Sequence, residues 1–236
     1  FVLSHTTHTG NIGAAARAIK NMGFGRLVLV NPKHGVDAQA IALASGAADV
    51  LQAAHICSSL SNALAGCQAA VAVTARWREF SLPFADARQS TLHMAQALVD
   101  TPTAEVAFVF GTEMSGLSNE EVLQCSQCCH IPANPVYSSL NLAQAVQLIS
   151  YEMRMALGAG LAASPYPPNP IAPVDDMERF YQHLEQTLVG IGFLNPAAPK
   201  KLMPRLRRLF ARAGVEKLEL DILRGVLAAV QKSRAL

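Results

Sequence analysis

The stretch Val106-Ala-Phe-Val-Phe110-Gly-Thr-Glu-Met-Ser-Gly-Leu117 reads as a buried strand running straight into a glycine-bearing loop. A second stretch repeats the plan, with Cys129-His-Ile131 leading into Pro132-Ala-Asn-Pro-Val-Tyr-Ser138-Ser-Leu-Asn-Leu-Ala143. An unbroken apolar run bounded by turn formers marks a strand covered on both faces. Gly111 and Gly116 let backbone approach a ligand, while Pro132 and Pro135 stiffen the second loop and remove two amide donors from it. Ser138, Ser139 and Asn141 then put polar groups at the mouth of an apolar helix, where free amides and the helix dipole are available. Such loops at the C-terminal ends of strands describe a ligand site.

Outward from these blocks, apolar strand-like runs alternate with helical stretches through residue 157. This is the pattern of an α/β domain with a mostly parallel sheet and helices on both faces. The expected strands are residues 1–3, 27–30, 69–74, 106–110 and 129–131. The expected helices are residues 11–22, 39–45, 60–64, 92–98, 119–125 and 140–157. Ordinary connection rules favour an unknotted doubly wound sheet. Composition changes at residue 158, where a proline-rich stretch, 158–173, reads as a semi-extended linker. Beyond it, residues 175–190, 199–213 and 216–233 carry apolar positions three and four apart, as in Leu202, Leu206, Leu209 and Phe210. A main domain over 1–157 and a small helical domain over 174–236 are therefore expected.

With 236 residues and 51% hydrophobic side chains, the chain has material for one large or two modest cores. No apolar run approaches the roughly 18 residues a membrane span requires, and no signal-like segment opens the chain, so a cytoplasmic protein is expected. The chain begins at Phe1-Val-Leu3 as if at the end of a strand, so a few residues are expected upstream. Net charge is only +2, but residues 1–173 hold 8 Lys/Arg against 10 Asp/Glu, whereas 174–236 hold 11 against 7. The tail is the basic part.

Five cysteines, an odd number, argue against a disulfide framework and suit a reducing compartment. Cys125-Ser-Gln-Cys128-Cys129-His130 has half of a zinc-ligand spacing without a second half, and His130 lies one residue beyond the haem-attachment spacing. No metal is expected; the segment reads as a helix end leading into a strand. The remaining histidines show no ligand-like grouping.

The pattern Phe-Gly-x-Glu-x-x-Gly-Leu at 110–117, followed by Ile-Pro and then Ser-Leu-Asn-Leu-Ala ending at Ala143, resembles the second and third motifs of the trefoil-knot (SPOUT) RNA methyltransferases. Their first motif, Asn-x-x-x-x-x-Arg, is matched by Asn11-Ile-Gly-Ala-Ala-Ala-Arg17. Three motifs in order are far more specific than a lone glycine pattern. Ser4-His-Thr-Thr-His-Thr-Gly-Asn11, Leu29-Val-Asn-Pro32 and the tail Met177-Glu-Arg-Phe-Tyr-Gln-His-Leu-Glu-Gln-Thr-Leu188 narrow the resemblance to the bacterial TrmJ-type tRNA 2′-O-methyltransferases, over nearly the whole chain. This resemblance implies a trefoil knot, S-adenosyl-L-methionine as cofactor, and a homodimer whose pockets combine motif residues of one subunit with the first-motif Arg of the other. It implies methyl transfer to a ribose 2′-oxygen of tRNA, at cytidine or uridine of anticodon-loop position 32. Methylation of another tRNA position or of ribosomal RNA, or a non-catalytic RNA-binding module of the same fold, stays open.

By residue chemistry alone, Arg17 in Ala14-Ala-Ala-Arg17 is a solvated helix residue. The resemblance assigns it to the reacting ribose, and Ser139 to a catalytic or cofactor-contacting hydroxyl. Because guanidinium stays protonated in proteins, Arg17 is suited to orient the 2′-hydroxyl and its neighbouring phosphate rather than to act as a base. The implied cofactor contacts are Val73, Thr74, Ala75, Gly111, Ile131, Ser138, Ser139 and Leu140, mostly through main chain. Asn11, Glu113 and Asn141 are implied to shape the site toward RNA, with Arg76 and Arg78 as phosphate contacts. Met114 and Ser115 occupy variable motif positions.

In the tail, Lys200, Lys201, Arg205, Arg207, Arg208 and Arg212 fall within thirteen residues that contain no acid. Helical spacing places Arg205, Arg208 and Arg212 on one side opposite the leucines, either as a solvated face or as a patch that recruits tRNA.

Overall fold

The computed structural model of the chain describes residues 1–76, 82–158 and 170–233. Seven strands make one sheet: β1 (Val2–Ser4), β2 (Val28–Val30), β3 (His55–Cys57), β4 (Ala69–Val73), β5 (Phe84–Asp86), β6 (Val106–Phe110) and β7 (Gln127–His130). All pairings are parallel, in the order β3-β2-β1-β6-β4-β7-β5. Helices α1 (Thr9–Asn21), α2 (Ala38–Ala44), α3 (Ala48–Gln52), α4 (Leu60–Leu64), α5 (Ala87–Asp100), α6 (Asn119–Leu123) and α7 (Leu142–Leu157) complete an α/β domain.

Burial on both faces explains why the strands read as continuous apolar runs. Leu3, Leu29, Val71, Phe108 and Phe110 share one core with α1, α2, α5 and α7. Their neighbours Val2, Val30, Ala72 and Val109 point the other way, onto Leu60 and Leu64 of α4 and Val122 of α6. At Gly13 a Cβ would lie 2.0 Å from the Ala40 carbonyl oxygen, so α1 meets α2 at a separation only glycine permits.

Two strands depart from expectation, β3 and β5. Each is a three-residue strand at an edge of the sheet, and Ile56 of β3 is 57% exposed. Strands this short are defined by pairing with β2 and β7 rather than by their own pattern. Helix α3 has no counterpart in the sequence pattern either, and α5 begins at Ala87 instead of residue 92, because Asp86 caps it by accepting from the Gln89 amide at 2.8 Å. Helix α7 starts at Leu142, with Asn141 as its cap.

Register positions the site. Val73 stands beside Phe110 and Cys129, and Leu3 beside Phe110. Strands β1, β4, β6 and β7 therefore release their following segments at one edge, the usual ligand edge of a parallel sheet. Strand β7 sits between β4 and β5, although both precede it in the chain.

After residue 170 come α8 (Val174–Gly190), α9 (Leu202–Ala213) and α10 (Lys217–Ser233). They share their own core of Ala172, Phe180, Tyr181, Leu184, Val215 and Leu220, in which Phe180 meets Phe210 edge-on at 5.0 Å. The Val174 amide donates to the Cys67 carbonyl at 3.0 Å, joining α8 to the α/β domain. All five cysteines are free and buried, and burial pushes the Cys129 thiol up to about 11. No described helix is long and apolar enough to cross a membrane. Arg78 and most of the proline-rich stretch lie outside the described residues.

Candidate active site

A cavity of about 150 Å³ opens at the shared strand edge. Val73, Thr74 and Ala75 reach it from the end of β4, Gly111 from β6, and Ile131, Ser138, Ser139 and Leu140 from the segment between β7 and α7. These are all eight of the positions expected to hold a cofactor. Arg76 and Glu113 line it too, as do Thr112 and Met114, to which the motif pattern gives no role. Met114 is 88% exposed, so only its position at the rim, not its burial, could draw attention to it.

The loop after β6 has its shape because Gly111 and Gly116 are glycines. Thr112 and Gly116 exchange two backbone hydrogen bonds, at 3.2 and 2.9 Å, closing a tight turn. A Cβ on Gly111 would stand 2.1 Å from the Gly116 carbonyl carbon, and Gly116 itself has φ +67°.

Three loops are tied together by one polar chain. The Glu113 carboxylate accepts from the Thr7 amide at 3.0 Å, the Thr7 hydroxyl at 2.8 Å, the His8 amide at 3.2 Å and the Asn11 side-chain amide at 2.9 Å. Asn11 in turn accepts from the Asn141 Nδ2 at 3.0 Å, and the Asn141 Oδ1 accepts from the Ala143 amide at 2.9 Å. Partial burial pushes the Glu113 carboxyl upward, but the bonds from Asn11 and Thr7 outweigh it and hold the group down at about 2. Asn11, Glu113 and Asn141 thus spend much of their polarity on one another. Sequence reasoning misses Thr7; its one signal is its place in the Thr6-Thr7-His8-Thr9 run just before Asn11.

A second anchor, equally hidden in the sequence, lies on the other side of the Gly111 loop. Ser4, fully buried at the end of β1, donates from its hydroxyl to Glu121 and sits 2.9 Å from the Nδ1 of His5. Glu121 completes a capping box on α6, accepting from the Ser118 amide at 2.6 Å while its own amide donates to the Ser118 hydroxyl at 3.1 Å. Burial raises the Glu121 carboxyl, and the Ser4 and Ser118 bonds bring it below its ordinary value.

The remaining candidates are placed less centrally. The Ser138 and Ser139 hydroxyls line the cavity with no hydrogen-bond partner among the described residues. Arg17 is exposed on α1, six residues beyond Asn11 and so about 9 Å further along the helix. It is absent from the cavity lining and makes no hydrogen bond or ion pair among the described residues.

Residues 1–151 match the model of the SpoU rRNA Methylase family. The chain belongs to the SpoU methylase family. Residues 175–236 of this SpoU chain match the C-terminal domain of the tRNA methyltransferase TrmJ. The tRNA (cytidine/uridine-2′-O-)-methyltransferase TrmJ of Pectobacterium atrosepticum is 50% identical over 236 residues, covering 98% of this chain and 96% of the relative. That of Escherichia coli K12 is 50% identical over 239 residues, covering 98% and 94%. Among solved structures, TrmJ from Z. mobilis ZM4 superposes with a TM-score of 0.84 at 32% identity, covering 98% of this chain and 97% of that one.

The basic run of this SpoU methylase is not one uniform face. Arg207 makes a two-pronged ion pair with Glu178, both contacts at 2.7 Å, and stands over the Tyr181 ring at 4.3 Å. Arg208 is half-buried, its Nε without a hydrogen-bond partner. Arg205 and Arg212 are exposed, but so is Leu209 at 47%, so the leucines are not all opposite the arginines. Spacing places Leu209 four residues from Arg205 and three from Arg212, on their side of the helix.

Proposed function

We propose that this chain transfers the methyl group of S-adenosyl-L-methionine to a ribose 2′-oxygen of tRNA, at cytidine or uridine of anticodon-loop position 32. The observation that carries this reading is the single cavity in which the eight expected cofactor positions meet, flanked by the Asn11–Glu113–Asn141 chain. Its walls suit the cofactor: Ile131, Leu140 and Leu142 offer apolar surface for a purine, and Gly111 lines the cavity with them. When bound, S-adenosylmethionine supplies a methyl group already activated on a sulfonium.

The task left to the protein is then alignment and exclusion of water, which alone can lower a barrier substantially. The Asn11–Glu113–Asn141 chain fixes the three loops relative to one another. Ser139, with its hydroxyl uncommitted at the rim, contacts the cofactor or the ribose. Arg17 orients the 2′-hydroxyl and its phosphate and cannot take the proton, which leaves toward the substrate's own phosphate or solvent.

Arg17 stands outside the cavity of its own subunit, so in this reading a second copy delivers it, and the active form is a homodimer. Leu148, Tyr151 and Met155, exposed and spaced three and four apart on α7, supply apolar surface for such a contact. Insertion of β7 between β4 and β5 supports the trefoil knot. Residues 1–157 form the methyltransferase domain, 158–173 the linker and 174–236 a domain that recruits tRNA, with Arg205, Arg208 and Arg212 its candidate contacts. The enzyme works in the cytoplasm, where its substrate is.

The test is the product. A methylated 2′-oxygen cannot attack its own 3′-phosphate, so unmodified tRNA treated with protein and S-adenosylmethionine should yield one alkali-resistant dinucleotide from the start of the anticodon loop. A methylated base without that dinucleotide overturns the reading.

A further inference from the structure

The turn between α8 and α9 forms a wide groove that the methyl-transfer site does not use. It is lined by Phe193, Asn195, Lys200, Lys201 and Arg205, together with small and aliphatic residues. Phe193 is 69% exposed, although a phenylalanine ring gains more than most side chains from burial. Among the described residues no carboxylate lines the groove, and none occurs in the sequence between Glu185 and Glu216. An aromatic face, an amide and three cations around one opening are the chemistry that receives a nucleotide out of its stack: ring on ring, phosphates on ammonium and guanidinium. A purely apolar protein partner would instead bury those cations with no anion of its own to offer.

The groove is also held in shape before anything binds. Asn195 accepts from the Ala197 amide at 2.9 Å through its side chain and from the Ala198 amide at 3.0 Å through its carbonyl. Lys200 adopts φ +50°, a left-handed conformation that costs a non-glycine residue free energy and that the surrounding turn must hold in place. A fixed platform loses little entropy when it docks a ligand.

We propose that this groove is a tRNA-docking subsite in which an unstacked nucleotide lies on Phe193 with its phosphates against Lys200, Lys201 and Arg205. The inference rests on the tRNA methyltransferase reading and deepens it. It adds the α8–α9 turn to the exposed face of α9 as a docking point for tRNA.

Full-length protein and unmodified tRNA test this. Loss of the ring in Phe193→Ala should weaken tRNA binding roughly tenfold, whereas Phe193→Trp, which keeps a stacking surface, should bind at least as well as the original. The Lys200→Gln/Lys201→Gln pair should flatten the dependence of log affinity on log salt by about 0.7 for each single-strand phosphate it no longer neutralises. In turnover, KM for tRNA should rise in both variants while kcat at saturating tRNA and affinity for S-adenosylmethionine stay unchanged. Should Phe193→Ala lose its helical circular dichroism, the lysine pair and Phe193→Trp decide the question. Unaltered tRNA affinity in folded Phe193→Ala or in the lysine pair sinks the subsite while leaving the activity reading intact. A change in oligomeric state in place of tRNA affinity assigns the groove to contact between copies, which also overturns it. If the original protein does not methylate tRNA at all, the broader reading fails first.

Discussion

Asn11 and Glu113, 102 residues apart in the chain, meet through one hydrogen bond of 2.9 Å at the mouth of the cavity. Because Asn11 also accepts from Asn141, this one amide joins the segment after β1, the loop after β6 and the cap of α7. Asn11→Ala would leave Glu113 short of a donor and Asn141 short of an acceptor in a half-buried place. A loss of about 1–2 kcal/mol in unfolding free energy is expected, together with weaker S-adenosylmethionine binding, because the loops that carry the pocket are no longer tied. Thermal denaturation and calorimetry check the two effects; a variant that binds cofactor normally would show that the tie does not shape the pocket.

The depressed Glu113 carboxyl makes a statement about acid stability. Its folded value of about 2 lies below the ordinary carboxylate value of 4.5, so the ionised form is favoured by folding. The contribution is fully present above about pH 5 and is lost as pH falls from there toward 2. With the carboxylate only partly shielded from water, it is of order 1 kcal/mol. Glu113→Gln should therefore be less stable than the original at neutral pH, and the difference should shrink as the pH is lowered through 4. Parallel stability curves across that range would contradict the assignment.

Arg17 is the sharpest test of the shared site. Arg17→Ala should abolish methylation while leaving the fold and cofactor binding nearly intact, since the side chain is exposed and bonded to nothing among the described residues. Leu140→Trp should fill the cavity and abolish activity by a different route. Mixed dimers of the two carry one pocket that is open and supplied with Arg17 from across the interface. Partial recovery of activity on mixing is expected, and none in demonstrated heterodimers would exclude a cross-subunit site.

How far these features are legible in sequence follows from their physics. The buried central strands announce themselves because both faces demand apolar residues, whereas β3 and β5, three residues each at the edges, depend on neighbours that no local pattern reveals. The loops around Gly111 and Ser139 are visible because glycine and proline there act on the backbone locally. The commitments of Asn11, Glu113 and Asn141 to one another are not visible, since pairing across more than a hundred residues is fixed by strand register. In α9, helical spacing puts Arg205 and Arg212 on one side, as found. It cannot show that Arg207 is consumed by Glu178, a residue of a different helix.

That distinction yields the last prediction. Arg207 and Arg212 lie on one helix, carry the same charge and have different surroundings: one is held by a carboxylate and a tyrosine ring, the other is exposed. Arg207→Ala should destabilise the helical domain by about 2 kcal/mol or more, because it leaves Glu178 without its charge-assisted partner. Its effect on the salt dependence of tRNA binding should be small, since a cation already neutralised within the fold releases few counterions. Arg212→Ala should do the reverse, moving the unfolding transition far less while flattening the salt slope by about 0.9 for every duplex phosphate left without its cation. Measuring unfolding and salt-dependent tRNA affinity on both variants separates the cation that holds the domain together from one that faces the RNA. Equal slopes in Arg212→Ala and the original would make the exposed face of α9 an ordinary solvated surface.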